Sequence, residues 1–335
     1  MNLKEVITQP QTNLALRSAS AGALVWLVLL FIPISDVTGV AYIERLFLLA
    51  PLVVVPLGLS LIESHEMHGL LTWPYRIALL VQPIGALFCV ASFFFDQGLV
   101  AALLACGWLF VTGMIASFGA WRFVLRGAMR VEEMCLSFGL MAIAVGGAWF
   151  VMSRFGAMRV QFGDTIVLLT GVHFHYTGFA ASLLMSFAGR VLRASDEGKV
   201  SPFYYVSVFC LIAGTPIVAA GITLSSGPVS LIGAVTISLG LWLLAVIVMV
   251  KIIDAIKSWP ARILLFVSSL SSSASMVLAC LYAYSLVSKK LIINIPHMAK
   301  FHGVANAIGF ALCGMLAWLL IRKSEHDKRG EGVKG

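Results

Sequence analysis

The sequence predicts an all-α protein, a polytopic bundle of about ten transmembrane helices with both termini in the cytoplasm. Of its 335 residues, 60% are hydrophobic and only 11% are charged, and the mean hydropathy is +0.98. Soluble domains have about 25% charged residues. The apolar residues form long runs, and the positive charges are dispersed between these runs. The pattern excludes a soluble globular domain, a disordered chain and a nucleic-acid-binding protein.

Ten apolar runs are long enough to cross the membrane, since a span needs about 20 mostly apolar residues. Their centres lie near Val28, Val53, Leu80, Leu109, Ala142, Leu168, Ile212, Leu239, Val267 and Gly309. We predict a single integral membrane domain over residues 1–335, with a cytoplasmic segment at 1–20 and a mobile charged tail at 323–335. The first run is not expected to be a cleaved signal peptide, because the segment before it is long and lightly charged.

The lysines and arginines set the predicted orientation, because cytoplasmic loops collect them. With ten spans, 17 of the 23 basic residues fall on the side that holds both termini, and Arg45 lies at a span end. The basic residues on the opposite side are Arg154, Arg159, Lys289, Lys290 and Lys300. We therefore place both termini in the cytoplasm.

Polar side chains within the predicted spans are the candidate functional residues, because ionisable groups in a bilayer are expensive and mark function by default. Glu44 lies near the outer end of the second span. His173 lies about 12 Å into the sixth span at 1.5 Å per residue, and His175 and Tyr176 follow it.

The same leaflet receives further polar groups. Arg154 falls at the outer end of the fifth span, and His302 and Asn306 begin the tenth. Asp36, Asp96 and Asp164 also fall at outer ends. We expect the candidate residues to share one apolar cavity in the non-cytoplasmic half of the bilayer.

Helical spacing limits which of these groups can meet. His302 and Asn306 are four residues apart and share a face, as do His173 and Tyr176. His173 and His175 point about 200° apart on a regular helix, so they cannot bind one metal ion unless the helix is distorted. We expect one of these two histidines to face the cavity and the other to pack against a neighbouring helix.

Two other features have simpler interpretations. The loop that contains Glu63, His65, Glu66 and His68 has metal-binding residue types, but a solvated loop is the favoured interpretation. All six cysteines fall within spans, and none forms a C-x-x-C pair. We predict no disulfide framework, no bound metal and no cofactor.

Four runs of sequence resemble the YndJ-like family of bacterial integral membrane proteins. They are ERLFLLAPLVVVPLGL from Glu44, Gly147-Ala-Trp149 with Arg154, LLTGVHFHYTGF ending at Phe179, and HGVANAIGF from His302. Thr177 stands where the family pattern has alanine. The family has no assigned activity, so the resemblance implies a fold and a bacterial cytoplasmic membrane. Its shared polar positions fall on Glu44, Arg154, His173, His175, Tyr176, His302 and Asn306.

The first functional hypothesis is an intramembrane enzyme that acts on a lipophilic substrate by acid/base chemistry. Glu44 is expected to act as the acid, and the histidines, Tyr176 and Asn306 as base, positioning and network groups. Arg154 is expected to orient a carboxylate. An isoprenoid is the favoured substrate, because aromatic faces stabilise a passing carbocation. This plan resembles the small integral membrane terpene cyclases by fold-level analogy.

Two alternatives stay open. Glu44 with His302 and one of the two neighbouring histidines, His173 or His175, could form the mixed nitrogen and oxygen site of a metal-dependent oxidase or hydrolase. Buried histidine and glutamate also suit a proton-coupled transporter. The expected partners are the lipid bilayer and a lipophilic small molecule; nucleic acid is not expected.

Overall fold

In the computed structural model, the regular secondary structure of the described residues is entirely helical. The structure describes residues 3–34, 38–40, 42–62, 72–126, 130–156, 163–195 and 200–332, with side chains between residues 13 and 324. The long helices are α1 (Leu3–Leu29), α2 (Tyr42–Ser60), α3 (Trp73–Ser92), α4 (Leu99–Arg126), α5 (Val131–Phe155), α6 (Asp164–Ser195), α7 (Pro202–Thr223), α8 (Gly227–Ala255), α9 (Trp259–Ser288) and α10 (Ile295–Ser324). The backbone of α10 continues helically through the charged segment to Gly332.

Nine of these helices in the described part of the chain, α2 to α10, are long and apolar enough to cross a membrane. The apolar part of α1, Asn13–Leu29, is shorter. The predicted all-α, polytopic transmembrane bundle is confirmed, but the centre near Val28 is wrong because α1 ends at Leu29. The apolar run continues to Ile34, but Pro33 keeps the residue before it out of the α conformation.

The outer surface of the helices matches a lipid environment. Large apolar side chains such as Leu103 and Val124 on α4, Phe209 on α7 and Val250 on α8 are more than half exposed. Contiguous apolar surface of this kind is rare on soluble monomers. The chain is a multi-pass membrane protein.

The chain divides into two compact units, and the boundary between them in the sequence falls within α6. The first unit comprises Met1–Leu183 and the second Leu184–Gly335. In the first unit, α1 packs against α2 where Gly22 lies beside the carbonyl of Leu52, an approach that leaves no room for a Cβ atom. In the second unit, Ser207 on α7 donates to the carbonyl of Gly240 on α8 (2.6 Å). Small residues allow this close helix packing in membranes.

Candidate functional site

The type of helix changes in the middle of α6, where several polar side chains predicted for the site lie. The helix is α over Asp164–His173, π over Phe174–Ala180 and α again over Ala181–Ser195. π-Helical turns are rare and frequently mark functional sites. This turn contacts the π-helical turn Ala50–Val54 of α2, so two irregular helices meet in the interior of the first unit.

His175 is fully buried, and the protein occupies both of its ring nitrogens. The indole N–H of Trp108 donates to Nε2 (2.9 Å), and Nδ1 lies 2.8 Å from the carbonyl oxygen of Gly171. Since an indole only donates and a carbonyl only accepts, Nδ1 carries the proton of a neutral imidazole. A Cβ atom at Gly146 would lie 2.7 Å from Nδ1, so this glycine makes room for the ring. Both ring nitrogens of His175 are therefore taken up by hydrogen bonds within the protein.

His173 and Tyr176, which flank His175 in the sequence, also form hydrogen bonds with backbone carbonyls. Nδ1 of the half-buried His173 lies 2.7 Å from the carbonyl oxygen of Leu169. This contact assigns the proton to Nδ1 and leaves the lone pair, and thus the basicity, on Nε2. The buried Tyr176 hydroxyl donates to the carbonyl of Leu46 (2.7 Å) and ties α6 to α2.

An aromatic core separates His175 from the end of the first unit. Phe47 packs edge-on against His175, with 5.1 Å between ring centroids, and stacks on Phe150 at 4.5 Å. Phe93 lies 5.6 Å from Phe150 and carries the guanidinium of Arg154 on its face at 4.7 Å. The interior between Arg154 and His175 is thus filled by packed aromatic rings.

Arg154 is fully buried, although its side chain carries a charge. Nη2 donates to the carbonyls of Ser92 (2.9 Å) and Phe95 (2.6 Å), where α3 ends. Both carbonyls lie at or just beyond the last residue of α3, where the chain no longer continues the helix, so Arg154 caps α3. Nε and Nη1 are buried and have no hydrogen-bond partner among the described residues. A buried donor left unpaired costs about 1–3 kcal/mol.

Three acidic side chains surround this arginine. The charges of Glu44, Asp96 and Asp164 attract the Arg154 guanidinium. Among the described residues, no carboxylate oxygen lies within 4.0 Å of its nitrogens. Glu44 is fully buried, and its Oε1 accepts a hydrogen bond from the backbone N–H of Thr38 (3.0 Å). The attraction is therefore electrostatic without direct ion pairing.

Further hydrogen bonds join the helix ends around these charges. Gln97 donates to the carbonyl of Ser153 (2.8 Å) and to Oδ1 of Asp164 (3.1 Å). Thr165 donates to the carbonyl of Thr38 (3.1 Å). The start of α2, the connection from α3 to α4, the end of α5 and the start of α6 thus meet at one end of the unit. We call the residues Arg154, Glu44, Asp96, Gln97 and Asp164 the Arg154 cluster.

The opposite end of the first unit holds a second buried arginine. Arg122 on α4 forms an ion pair with Glu133 on α5, and both side chains are buried. The guanidinium lies 5.7 Å from the centroid of the Phe118 ring. Further arginines near this end include Arg76, Arg126 and Arg130.

In the second unit, His302 and Asn306 form a hydrogen-bonded group with Ser275 of α9. Nδ1 of His302 lies 2.8 Å from the carbonyl oxygen of Ser275, which leaves the lone pair on Nε2. The Asn306 amide donates to the carbonyl of His302 (3.0 Å), and the Ser275 hydroxyl lies 3.0 Å from Oδ1 of Asn306. The half-buried imidazole is held by partners on two helices.

A small cavity lies about one helical turn from this group. Its volume is about 20 Å³, enough for about one water molecule. Ser272 on α9 and Phe310 on α10 line it, three and four residues from Ser275 and Asn306. Most of the lining is apolar and includes Trp318. The cavity therefore suits a small apolar group or a single water.

The metal hypothesis has no geometric support in the described residues. They contain no group of three or more His, Cys, Asp or Glu side chains that could hold a metal ion. The loop with Glu63, His65, Glu66 and His68, together with Asp36 and Arg159, lies outside the described residues.

The predicted residues thus form three arrangements. Glu44 and Arg154 belong to one charged cluster, whereas His173, His175 and Tyr176 share a π-helical junction deeper in the same unit. His302 and Asn306 lie in the second unit. The shared cavity expected from the sequence, which would need residues of both units, stays a prediction.

Trp108, Gln97 and Ser275 were not predicted as partners of the candidate residues. A weak signal was present for Trp108, because an indole N–H in the middle of an apolar run needs an acceptor. Ser275 lies in a serine-rich stretch whose residues predict only close helix packing, and Gln97 lies in a short connection between spans.

Comparisons with known proteins identify the family. A family model described as YndJ-like protein matches residues 45–310. An uncharacterized membrane protein YndJ of Bacillus subtilis (strain 168) is 26% identical over 236 residues, which cover 70% of this chain and 41% of the relative. The chain thus spans about two fifths of the relative's length. No solved structure matches the chain. Because the family model covers most of the sequence, including Arg154 and the π-helical turns of α2 and α6, the chain belongs to the YndJ-like family of membrane proteins.

Proposed function

We propose that this protein is an integral membrane enzyme that acts on a lipophilic substrate by proton transfer. The favoured substrate class is an isoprenoid, and the favoured reaction is a cyclisation or isomerisation. Glu44 exchanges a proton with the substrate, and Arg154 orients the reacting groups. His173 is the proposed base of the first unit, and His302 is the proposed base of the second unit. His175, Tyr176 and Asn306 position these groups.

The observation that carries the proposal is the presence of opposite charges, Glu44 and Arg154, fully buried at one end of a transmembrane unit. Ionisable groups at such depth are rare in membrane proteins and mark functional sites. The surrounding hydrogen bonds from Thr38 and Gln97 hold the carboxylates in place. Fixed polar groups beside an aromatic interior stabilise the charge that develops in the transition state of the reaction. The proposed substrate enters this interior from the lipid.

The proposed reaction balances without an added reagent. The acid transfers a proton to an alkene carbon or an epoxide oxygen of the substrate, and a carbocation forms. An internal alkene attacks this cation, or the neighbouring C–H bond breaks. The base removes a proton, so the product is an isomer of the substrate. The proton then passes from the base back to the acid, which restores the starting protonation of the enzyme before the next turnover. No oxidant or reductant is required.

We further propose that the Arg154 cluster faces the non-cytoplasmic side of a bacterial cytoplasmic membrane. The opposite end of the first unit carries more arginines, among them Arg76, Arg126 and Arg130, and cytoplasmic ends collect basic residues.

Comparative lipid profiling tests the proposal. Cells that lack the gene are complemented with the wild type, with Glu44→Gln or with Glu132→Gln, and their lipids and isoprenoids are compared by mass spectrometry. Glu132 is a matched control, because it is a buried carboxylate at the opposite end of the same unit. We expect a lipophilic substrate to accumulate, and its isomer to disappear, without the gene and with Glu44→Gln.

Glu132→Gln should restore the wild-type profile. Membrane abundance of each variant is measured in parallel, so that loss of protein is separated from loss of chemistry. A wild-type profile with Glu44→Gln would remove this residue from the mechanism. An unchanged profile in the deletion strain would contradict the enzyme proposal.

A further inference from the structure

The Arg154 guanidinium uses only part of its hydrogen-bonding capacity. One nitrogen, Nη2, donates to the two carbonyls at the end of α3. Nε and Nη1 are buried and have no partner among the described residues, although the side chain is wholly enclosed. We propose that these N–H groups bind an uncharged oxygen atom of the lipophilic substrate, such as a hydroxyl, carbonyl or epoxide oxygen. This inference rests on the proposed function and specifies its substrate class.

The chemistry of arginine requires an oxygen acceptor. A guanidinium carries five N–H donors and no acceptor, so a pure hydrocarbon cannot satisfy it. The carboxylates of Glu44 and Asp164 do not accept from Nε or Nη1. Oε1 of Glu44 accepts from the backbone of Thr38, and Oδ1 of Asp164 accepts from Gln97. A ligand oxygen can therefore take the position that these carboxylates do not occupy.

The surrounding charge indicates that this oxygen is uncharged. Glu44, Asp96 and Asp164 act on one guanidinium, so the two aspartates alone outweigh its positive charge when Glu44 is protonated as the proposed acid. A phosphate, diphosphate or carboxylate head group would be repelled by this field. A neutral oxygen gains the hydrogen bonds of the guanidinium without this repulsion.

The route to the guanidinium from outside is short. Arg154 binds the carbonyl of Phe95 in the turn that follows α3, and the side chains of Phe94, Phe95 and Asp96 in this turn are exposed. This exposed turn therefore lies between Nη2 of Arg154 and the outside of the first unit. We propose that a substrate reaches the guanidinium by displacing the turn.

A series of prenyl compounds with one common chain tests the inference. Farnesol, farnesene and farnesyl diphosphate are titrated onto the purified full-length protein in nanodiscs, and equilibrium binding is measured. Farnesol should bind at least about tenfold more tightly than either other compound, which corresponds to about one hydrogen bond to a charged donor. Arg154→Gln should remove this preference, so that farnesol binds no more tightly than farnesene.

Two more variants keep the test independent of folding. Arg154→Lys keeps the positive charge and a donor for the α3 carbonyls but lacks the planar fork, so it should also lose most of the preference. Arg45→Gln is the control, because Arg45 likewise donates to carbonyls beyond a helix end, those of Leu29 and Ile32. It should bind all three compounds like the wild type.

The outcomes separate this inference from the enzyme proposal, because conversion of each compound is followed by mass spectrometry in the same samples. Farnesyl diphosphate binding as tight as that of farnesol, no farnesol binding, or a preference that persists in Arg154→Lys would overturn the inference, whatever the turnover. An Arg154-dependent farnesol preference would support it. That support would hold even if lipid profiling contradicted an enzymatic role.

Discussion

Arg122 and Arg154 are two fully buried arginines of the same unit, but their hydrogen-bond partners are of different kinds. Arg122 is matched by a buried carboxylate, Glu133, on the next helix. Arg154 donates to backbone carbonyls and retains two nitrogens without a partner among the described residues. The ion pair of Arg122 with Glu133 links α4 to α5. Arg154 has no carboxylate partner among the described residues, which is the arrangement expected of a group that also binds something outside the protein.

The comparison extends to uncharged groups. His175 resembles Arg122, because protein partners take up both of its ring nitrogens. His302 and His173 are instead held by backbone carbonyls, which fix Nδ1 as the protonated nitrogen. A buried polar group is thus not sufficient evidence of a functional role. The distinction lies in the hydrogen-bonding capacity that remains after the protein contacts are counted.

The largest expected effect comes from breaking the Arg122 ion pair. Glu133→Gln leaves Arg122 buried without its carboxylate, and removal of one partner of a buried ion pair costs about 3–5 kcal/mol. Glu44→Gln should cost only about 1 kcal/mol, because an amide oxygen can still accept from Thr38. The free energy of unfolding, measured by SDS titration in mixed micelles, checks the difference.

The two glutamates are matched, since both are buried carboxylates near an arginine of the same unit. Equal losses of stability in the two variants would contradict the distinction between a structural ion pair and an unsatisfied site. A larger loss with Glu44→Gln would reverse it.

The helical architecture was predictable because its cause is local. Each span is a long apolar run, and its hydrophobicity can be read without knowledge of its neighbours. The end of α1 was the exception, because the apolar run continues past the helix to Ile34. Pro33 carries the signal that ends the helix, so backbone chemistry at one residue overrides the hydrophobic pattern.

The hydrogen-bond partners in the site could not be predicted in the same way. His175 and Trp108 are 67 positions apart, and Arg154 and Ser92 are 62 apart. Regular helical spacing says nothing about such contacts, since it relates only residues on one helix. The π-helical turn at Phe174–Ala180 also changes the direction of the side chains. The sequence therefore indicates which residues are buried and polar, but not which of them are already satisfied.

A moderate effect is expected when the hydrogen bond from Trp108 to His175 is broken. This bond is the uncharged counterpart of the ion pair between Arg122 and Glu133. Trp108→Phe retains an aromatic ring but removes the N–H that donates to His175, so a buried acceptor loses its partner. The expected loss of unfolding free energy is about 1–2 kcal/mol. Trp121→Phe is the control, because Trp121 lies on the same helix and is 43% exposed; it should change stability by less than about 0.5 kcal/mol. An unchanged stability in Trp108→Phe would show that His175 does not need this donor.

The smallest effect is expected at Arg45, which separates helix capping from ligand binding. Arg45 is half-buried and donates from Nε to the carbonyl of Leu29 (3.1 Å) and from Nη2 to that of Ile32 (3.2 Å). Arg45→Gln should cost about 0.5–1 kcal/mol, the usual net value of such hydrogen bonds. Hydrogen exchange should accelerate in the last turn of α1 and nowhere else in the described part of the first unit.

Arg154→Gln removes the same kind of cap from α3 and provides the comparison for Arg45→Gln. If capping were the whole role of Arg154, both variants would show local exchange at one helix end and the same farnesol binding. A difference confined to farnesol binding would instead assign the extra role to Nε and Nη1, the two nitrogens that the protein leaves unpaired. Fast exchange throughout α2 to α5 in Arg45→Gln would contradict the local role given to Arg45.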